Sequence, residues 1–342
     1  MKNLQVQNYS NTKKEIISHF EKSSFYFDQQ ENKSDEVSFS ITRNEHNAIA
    51  YDLLIYENYV LFQGERYVIK QVSERVTGHV LTKTVTAIHE SMRIVESYQY
   101  DTMTGTFSIN QCLAHIFKAA KGFTYEVNNI NGAFTRVEQE NFGDKDCKSL
   151  LEEVIKDYDA VVNVSGKHFT FIPARYNEHK TELQIRYKYN TTDVQFDIDT
   201  YELRTQIKGF GKRKDPKEGQ EVGDWYFQPI VYTSPEAEIW GIRIQDSIQD
   251  DRYTVASNMK ARLMKELKDK PDVVGSVTLN RFSEAQLGDL VRFVYEPAHI
   301  NEFIKVVGRR EYSFTNKPPE ITMANNKQTL TDYLKRLYKG GH

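Results

Sequence analysis

The sequence predicts a mixed β and α+β chain of several domains. Three observations carry that expectation. Short runs of β-branched and aromatic residues, in a chain with 21 Tyr and 19 Phe, are joined by glycine-containing turns, which favours antiparallel sheets or small barrels. Apolar residues at helical spacing recur in a few stretches, most of them flanked by capping or stop residues. The length, 342 residues, accommodates about two or three domains with their own cores.

Residues 16–42 hold two alternating runs, one with Phe25 and Phe27 and one with Val37, Phe39 and Ile41. The polar stretch Asp28 to Glu36 between them reads as a hairpin loop. Asn47 to Tyr56 fits a short helix or an irregular crossing. A meander follows: Tyr59 to Phe62, a turn at Gln63-Gly64-Glu65, Tyr67 to Val76, a turn at Thr77-Gly78, and Val80 to Ile88. Together these runs give a first β-barrel-like domain at 1–100.

The pattern changes at Gly105. Ser108 is placed to cap a helix whose apolar stripe is Ile109, Cys112, Leu113, Ile116, Phe117 and Ala120, with Gly122 as its stop. A second helix is expected from about Lys148 to Tyr158, then a hairpin of Ala160 to Val164 and His168 to Ile172 around Ser165-Gly166. Helices and hairpin form an α+β domain at 101–180.

From Thr181 the alternation returns with Leu183, Ile185, Tyr187 and Tyr189, and Leu203 to Phe210 adds a strand. Lys212 to Asp224 is a charged, mobile loop, and Trp225 to Tyr232 is strand-like. Val255, Met259, Leu263 and Leu267 mark a helix, capped by Asp250 or Asp251 and stopped by Pro271, in an insertion at 236–274. Val273 to Leu279 resumes the strands. After a turn at Gly288-Asp289, Leu290 to Tyr295 and Glu302 to Val307 form a hairpin that runs on to Phe314. Both faces of its first strand carry apolar residues, Val291, Phe293 and Tyr295 on one and Leu290 and Val294 on the other. It reads as the closing piece of a second β-barrel-like domain at 181–235 and 275–325. Thr329 to Tyr338 is an amphipathic helix within a tail at 326–342.

Lys plus Arg total 45 against 48 Asp plus Glu, a net charge of −3, so nothing favours a sequence-specific nucleic-acid partner. Two cysteines, Cys112 and Cys147, make neither a disulfide framework nor a cysteine zinc site. Polar sequence follows Met1-Lys2, where a signal peptide would be apolar. No stretch approaches the ~20 apolar residues of a membrane helix. Synthesis in the cytoplasm, without a leader, is the expectation.

Candidate chemistry is sparse. His89-Glu90 lacks a second histidine at the spacing of a zinc peptidase, since position 93 is Arg93. Cys112 and His115 share a helix at nucleophile–base spacing, but Cys112 falls within the apolar stripe. Asp193, Asp197 and Asp199 alternate with Val194, Phe196 and Ile198, which makes them the outer face of a strand. Gly209-Phe210-Gly211-Lys212 and Ser165-Gly166-Lys167 lack the spacing of a phosphate loop. Trp225, Tyr226, Phe227, Tyr232 and Trp240 suit a sugar-stacking platform less well than sheet or subunit contacts. Lys212, Arg213 and Lys214 are followed by the acids Asp215, Glu218 and Glu221, as in a solvated loop. No catalytic, cofactor-binding or metal residue is assigned, and no cofactor is expected.

Several stretches resemble the siphophage tail-tip family called prophage tail endopeptidase or tail-associated lysin, in its N-terminal hub part. They are Asn58-Tyr59 through Gly64-Glu65-Arg66-Tyr67-Val68-Ile69-Lys70, Glu140-Asn141-Phe142-Gly143, and Ile185-Arg186-Tyr187-Lys188-Tyr189-Asn190. Further along are Ile207-Lys208-Gly209-Phe210-Gly211-Lys212, Tyr232-Thr233-Ser234-Pro235, Ile239-Trp240-Gly241-Ile242-Arg243, Asp251-Arg252-Tyr253-Thr254 and Leu287-Gly288-Asp289. The likeness covers about 20–325. It implies the fold of contractile-phage baseplate hubs: two tube-forming β-barrel domains with α+β domains outside them. It implies a homotrimeric ring at the virion tail tip, capping the tube and meeting the distal tail protein, the tape-measure protein and receptor-binding or other tail-tip proteins. Longer relatives carry a lytic domain after the hub, opened by Asp-Cys-Ser-Gly or built as a metallopeptidase. Neither signature occurs in these residues, so the resemblance carries over the structural role. The alternatives are a peptidoglycan endopeptidase, resting on Cys112, His89 or His115, and a cell-wall carbohydrate-binding adhesin resting on Trp225 or Trp240.

Overall fold

The computed structural model describes residues 3–216, 221–270, 272–279, 284–298 and 300–323. It divides into two compact units, Met1–Val194 with Ser276–Met323 and, separately, Gln195–Gly275. The expected tail helix from Thr329 to Tyr338 lies outside the described residues.

The first unit opens with β1 (Gln5–Gln7), β2 (Lys14–Ile16), β3 (Phe20–Gln30), β4 (Glu36–Thr42), α1 (Ala48–Leu53), β5 (Tyr59–Phe62), β6 (Glu65–Thr77) and β7 (Val80–His89). The helical alternative for the stretch from Asn47 is thus the one adopted. Gly78 sits at φ +61 in the tight turn between Thr77 and Val80, a conformation that costs glycine little. Strand alternation sends Phe25, Phe27, Val37, Phe39, Ile41, Phe62 and Tyr67 into one buried cluster.

A 3-10 turn (Glu90–Glu96) leads into β8 (Tyr98–Phe107), α2 (Ile109–Ala119), β9 (Thr124–Val127), β10 (Val137–Asp146), α3 (Cys147–Tyr158), β11 (Ala160–Ser165) and β12 (His168–Pro173). Ser108 and Gln111 cap α2 reciprocally, and the Asp146 carboxylate accepts from the Ser149 N–H at the start of α3. The apolar stripes of both helices, Cys112, Leu113 and Ile116 with Leu150, Leu151 and Val154, meet over Phe169 and Phe171 in a second core.

β13 (His179–Arg186) and β14 (Thr191–Asp199) follow, then β15 (Gln206–Phe210), β16 (Ile230–Thr233), α4 (Ala237–Trp240), β17 (Ile248–Gln249) and α5 (Ala256–Glu266). The chain ends its described course with β18 (Asp272–Leu279), β19 (Asp289–Tyr295), β20 (Ile300–Glu311) and β21 (Glu320–Met323). In the second unit β15 lies between β16 and β17, and α5 places Met259, Leu263 and Leu267 on Ile207. Two expectations there are corrected. The strand expected from Trp225 is confined to Ile230–Thr233, with Trp225 reduced to a single bridge to Arg213. Asp250 and Asp251 do not cap α5, which starts at Ala256. Asp250 turns instead to guanidinium partners described below.

The hairpin β19–β20 pairs from Leu290 with Lys305 to Tyr295 with Ile300, as its alternation suggests. β20 is longer than expected. Past β19 it runs beside β3, with Arg310 opposite Asp28, and beside β21 on its other edge. The hairpin therefore joins the N-terminal strands to the C-terminal ones in one sheet, ordered β14-β18-β21-β20-β3-β4-β7-β6-β5-β1-β2. Just beyond it, Phe314 enters the first core, 4.6 Å from Phe25 and 5.0 Å from Phe20 between ring centroids. Among the described residues no ring of strands closes, so the hairpin does not seal a separate barrel.

Candidate interaction surfaces and polar clusters

The sequence-derived candidates are dispersed. Cys112 is fully buried in α2, its Sγ 3.3 Å from the Tyr158 hydroxyl, and burial pushes its thiol pKa up. His115 Nε2 lies 2.8 Å from the Asp101 carbonyl oxygen. The pair thus takes different partners, and a raised thiol pKa is the opposite of nucleophile activation. Asp193, Asp197 and Asp199 are exposed along β14, where Asp197 accepts from Gln195 and Asp199 from the Tyr201 N–H. Among the described residues no group of three or more acidic, histidine or cysteine side chains is arranged to hold a metal ion.

Trp225 is occupied on its ring. Arg213 lies 3.6 Å from the centroid and Phe210 5.5 Å away, which leaves little free face for a sugar. Gly209 gives α5 room to settle, since a Cβ there would lie 2.8 Å from Met259 Sδ. Gly166 offers its N–H to a carboxylate of this same chain, as described next, and not to a phosphate loop.

His89 ends β7 and is buried. Its Nδ1 accepts from the Ser91 N–H (3.4 Å) and lies 2.9 Å from the Ser91 hydroxyl, so the ring caps the 3-10 turn. Nε2 then faces Glu65 Oε2 at 3.2 Å. The order serine–histidine–acid is that of a hydrolytic relay, but Ser91 is 4% exposed and its bonds are those of a cap. Glu65 is also engaged elsewhere: it accepts from the Ser165 hydroxyl and the Gly166 N–H, both at 2.8 Å. Burial acts to raise its carboxyl pKa, yet the bonds from Ser165, His89 and Gly166 outweigh that and hold it below the usual value. Asp35 nearby goes the other way, raised chiefly by burial despite a bond from Gln29. Asp35, His89 and Ser91 border a cavity of about 520 Å³ whose lining also includes Leu151, Val162, Phe169 and Phe171.

Sequence reasoning missed Asp250. Its carboxylate, with the residue only 7% exposed, accepts from Arg252 at 2.6 Å and from Arg262 of α5. Two guanidinium groups outcompete a helix N–H for one desolvated carboxylate, which is why it does not cap. The second unit also leaves large apolar residues in solvent: Val231, Ile242, Ile244, Val255 and Met264 are each at least half exposed. On its sheet, Val231 and Ile244 pair with Lys208 and Gln206, on the face away from α5.

Likeness to known proteins carries the assignment. The sequence matches the prophage endopeptidase tail family over 179–334, that family's N-terminal domain over 4–89, and the prophage endopeptidase tail domain over 96–171. The prophage tail protein gp18 from Listeria monocytogenes is 40% identical, with 98% of each chain covered and a TM-score of 0.72. The chain belongs to the prophage endopeptidase tail family. It is a prophage tail protein. Its fold is shared by the tail protein from Neisseria meningitidis, at 12% identity, 96% and 98% coverage and a TM-score of 0.62. The 43 kDa tail protein of prophage MuSo2 from Shewanella oneidensis is similar at 14% identity, 95% and 98% coverage and 0.61. Nothing among curated proteins matches it. The family name carries the word endopeptidase, whereas Cys112, His115 and His89 stand here in core, backbone and capping roles. Among the described residues, no helix is long and apolar enough to cross a membrane.

Proposed function

We propose that this tail protein is the hub of the tail tip, three copies forming a ring that continues the tail tube downward. The observation that carries the reading is β20, which fuses the N-terminal and C-terminal strands into one broad sheet. A tube wall needs such a sheet, with edges covered by neighbouring copies. In this reading the strand-rich segments 1–100 and 181–235 with 275–325 supply the two β-rich domains of the wall, which closes only as three copies assemble. Segments 101–180, 236–274 and 326–342 are an α+β domain, an insertion and a tail. The partners are the distal tail protein, the end of the tape-measure protein and the receptor-binding apparatus. Exposed Val231 and Ile244 suit protein contacts of this kind.

Electron microscopy of virions with the protein labelled at one site tests the placement. A threefold ring at the tail tip is expected; label along the tail shaft or in the head would overturn it. Purified cell walls incubated with the protein at high concentration are expected to release no muropeptides. Release abolished by Cys112→Ser, His89→Ala or His115→Ala would favour the peptidase instead.

A further inference from the structure

The α+β module from Tyr98 to Pro173 and the N-terminal sheet have separate hydrophobic cores. Between them lies the cavity of about 520 Å³, where a continuous core would have packed side chains. What crosses the seam beside this cavity is polar and falls on one strand, β11. The Ser165–His168 pair closes the β11–β12 hairpin, so Ala160, Val162 and Val164 turn their backbone groups away from β12. Asn32, from the β3–β4 turn, reads that edge as a strand would: its Oδ1 accepts from the Val162 N–H at 3.0 Å and its Nδ2 donates to the Ala160 carbonyl at 3.3 Å. Glu65, from the β5–β6 turn, holds the other end of β11 through Ser165 and Gly166. The 3-10 turn at Glu90–Glu96 grips both sides. Its Ile94 belongs to the module's core, while its Arg93 is bonded to Glu57 at 2.7 Å and lies over the rings of Tyr9 and Tyr59.

We propose that the module is a hinged body that pivots on the 3-10 turn and is held shut by two clamps, Asn32 and Glu65, acting on β11. Opening separates the walls of the cavity and releases the Val162 N–H and the Ala160 carbonyl from Asn32, and the Ser165 hydroxyl and Gly166 N–H from Glu65. The clamps belong to different turns of one sheet, so loosening either loosens the whole module.

Hydrogen exchange on the full-length protein at fixed pH tests this, with Asn32→Gly and Glu65→Gln made singly and together. Asn32 has φ 58, so glycine removes the clamp without straining the turn. Each single change is expected to speed exchange at both Val162 and Gly166, by roughly three- to tenfold for the loss of one hydrogen-bonding partner. The double change is expected to multiply the two effects. Exchange at Ile69 in the sheet and Ala120 after α2 should stay unchanged. The proposal is overturned if each change affects only the amide its own side chain contacts, since that is local fraying. It is equally overturned if neither amide responds, or if Ile69 accelerates in step with them.

Discussion

The N-terminal sheet and the second unit bury apolar residues in very different ways. The first packs Phe20, Phe25, Phe39, Phe62 and Phe314 in tilted and edge-to-face pairs, with centroid distances between 4.6 and 6.3 Å, the last of these rings coming from the far end of the chain. The second rests one helix on a small sheet, with Ile207, Met259, Leu263 and Leu267 as its buried cluster. It leaves Val231, Ile242 and Ile244 outside. Interlocking rings fill the first core, although Ile16, Val76 and Val80 of that sheet are also more than half exposed. In the second unit the exposed Val231 and Ile244 lie together on the face of a small sheet away from its helix, a surface suited to meeting a neighbour.

Substitutions can break this contrast, and the two tryptophans help, because Trp225 and Trp240 both lie in the second unit and report on it alone. The largest effect is expected from Phe25→Ala, at about 3–5 kcal/mol, because the rings around it cannot collapse into the gap. Far-ultraviolet circular dichroism should show the loss while tryptophan emission follows its own transition. Gly209→Ala should cost about 1–3 kcal/mol, since the new methyl would press on Met259 and Leu263. Here tryptophan emission should move and the first unit's transition should not.

Glu65→Gln is smaller, about 1–2 kcal/mol at neutral pH, and its effect depends on pH. The Glu65 carboxyl is held below its usual value when folded, so it contributes stability above its unfolded pKa of about 4.3. That contribution is lost as pH falls through the lower, folded value. Urea midpoints of the wild-type and variant proteins should therefore differ at pH 7 and converge as acidification protonates the folded carboxyl. Divergence on acidification would contradict the bonding described for Glu65. The smallest effect on folding, within about 0.5 kcal/mol, is expected for Val231→Asp. If the outer face of the second unit meets other chains, incorporation into tails should nevertheless fall.

Much of this architecture was readable from local pattern. Ser108 as a cap and Gly122 as a stop announced α2, the Ser165-Gly166 turn announced the β11–β12 hairpin, and apolar spacing from Lys148 to Tyr158 announced α3. The features missed depend on how partners, most of them distant in sequence, meet in space. Nothing near Glu302 says that β20 continues to Glu311, because what extends it is pairing with β3. Asp250 looked like a cap because the sequence around it does not show two arginines converging in space. Asn32 and Glu65 looked like ordinary turn residues. Their meaning lies in a strand that follows a hundred or more positions later, with separations of 128 and 100 to their β11 partners.

The β20–β3 pairing also sets a schedule for synthesis. Asp28 leaves the ribosome 282 residues before the Arg310 that will pair with it. At about 5–20 residues per second, the edge of β3 waits roughly 15–60 s without its partner. Phe25 meanwhile lacks the Phe314 ring that will cover it. A nascent chain in that interval offers other chains both an open strand edge and an apolar surface, so shielding by a chaperone should matter most before β20 emerges.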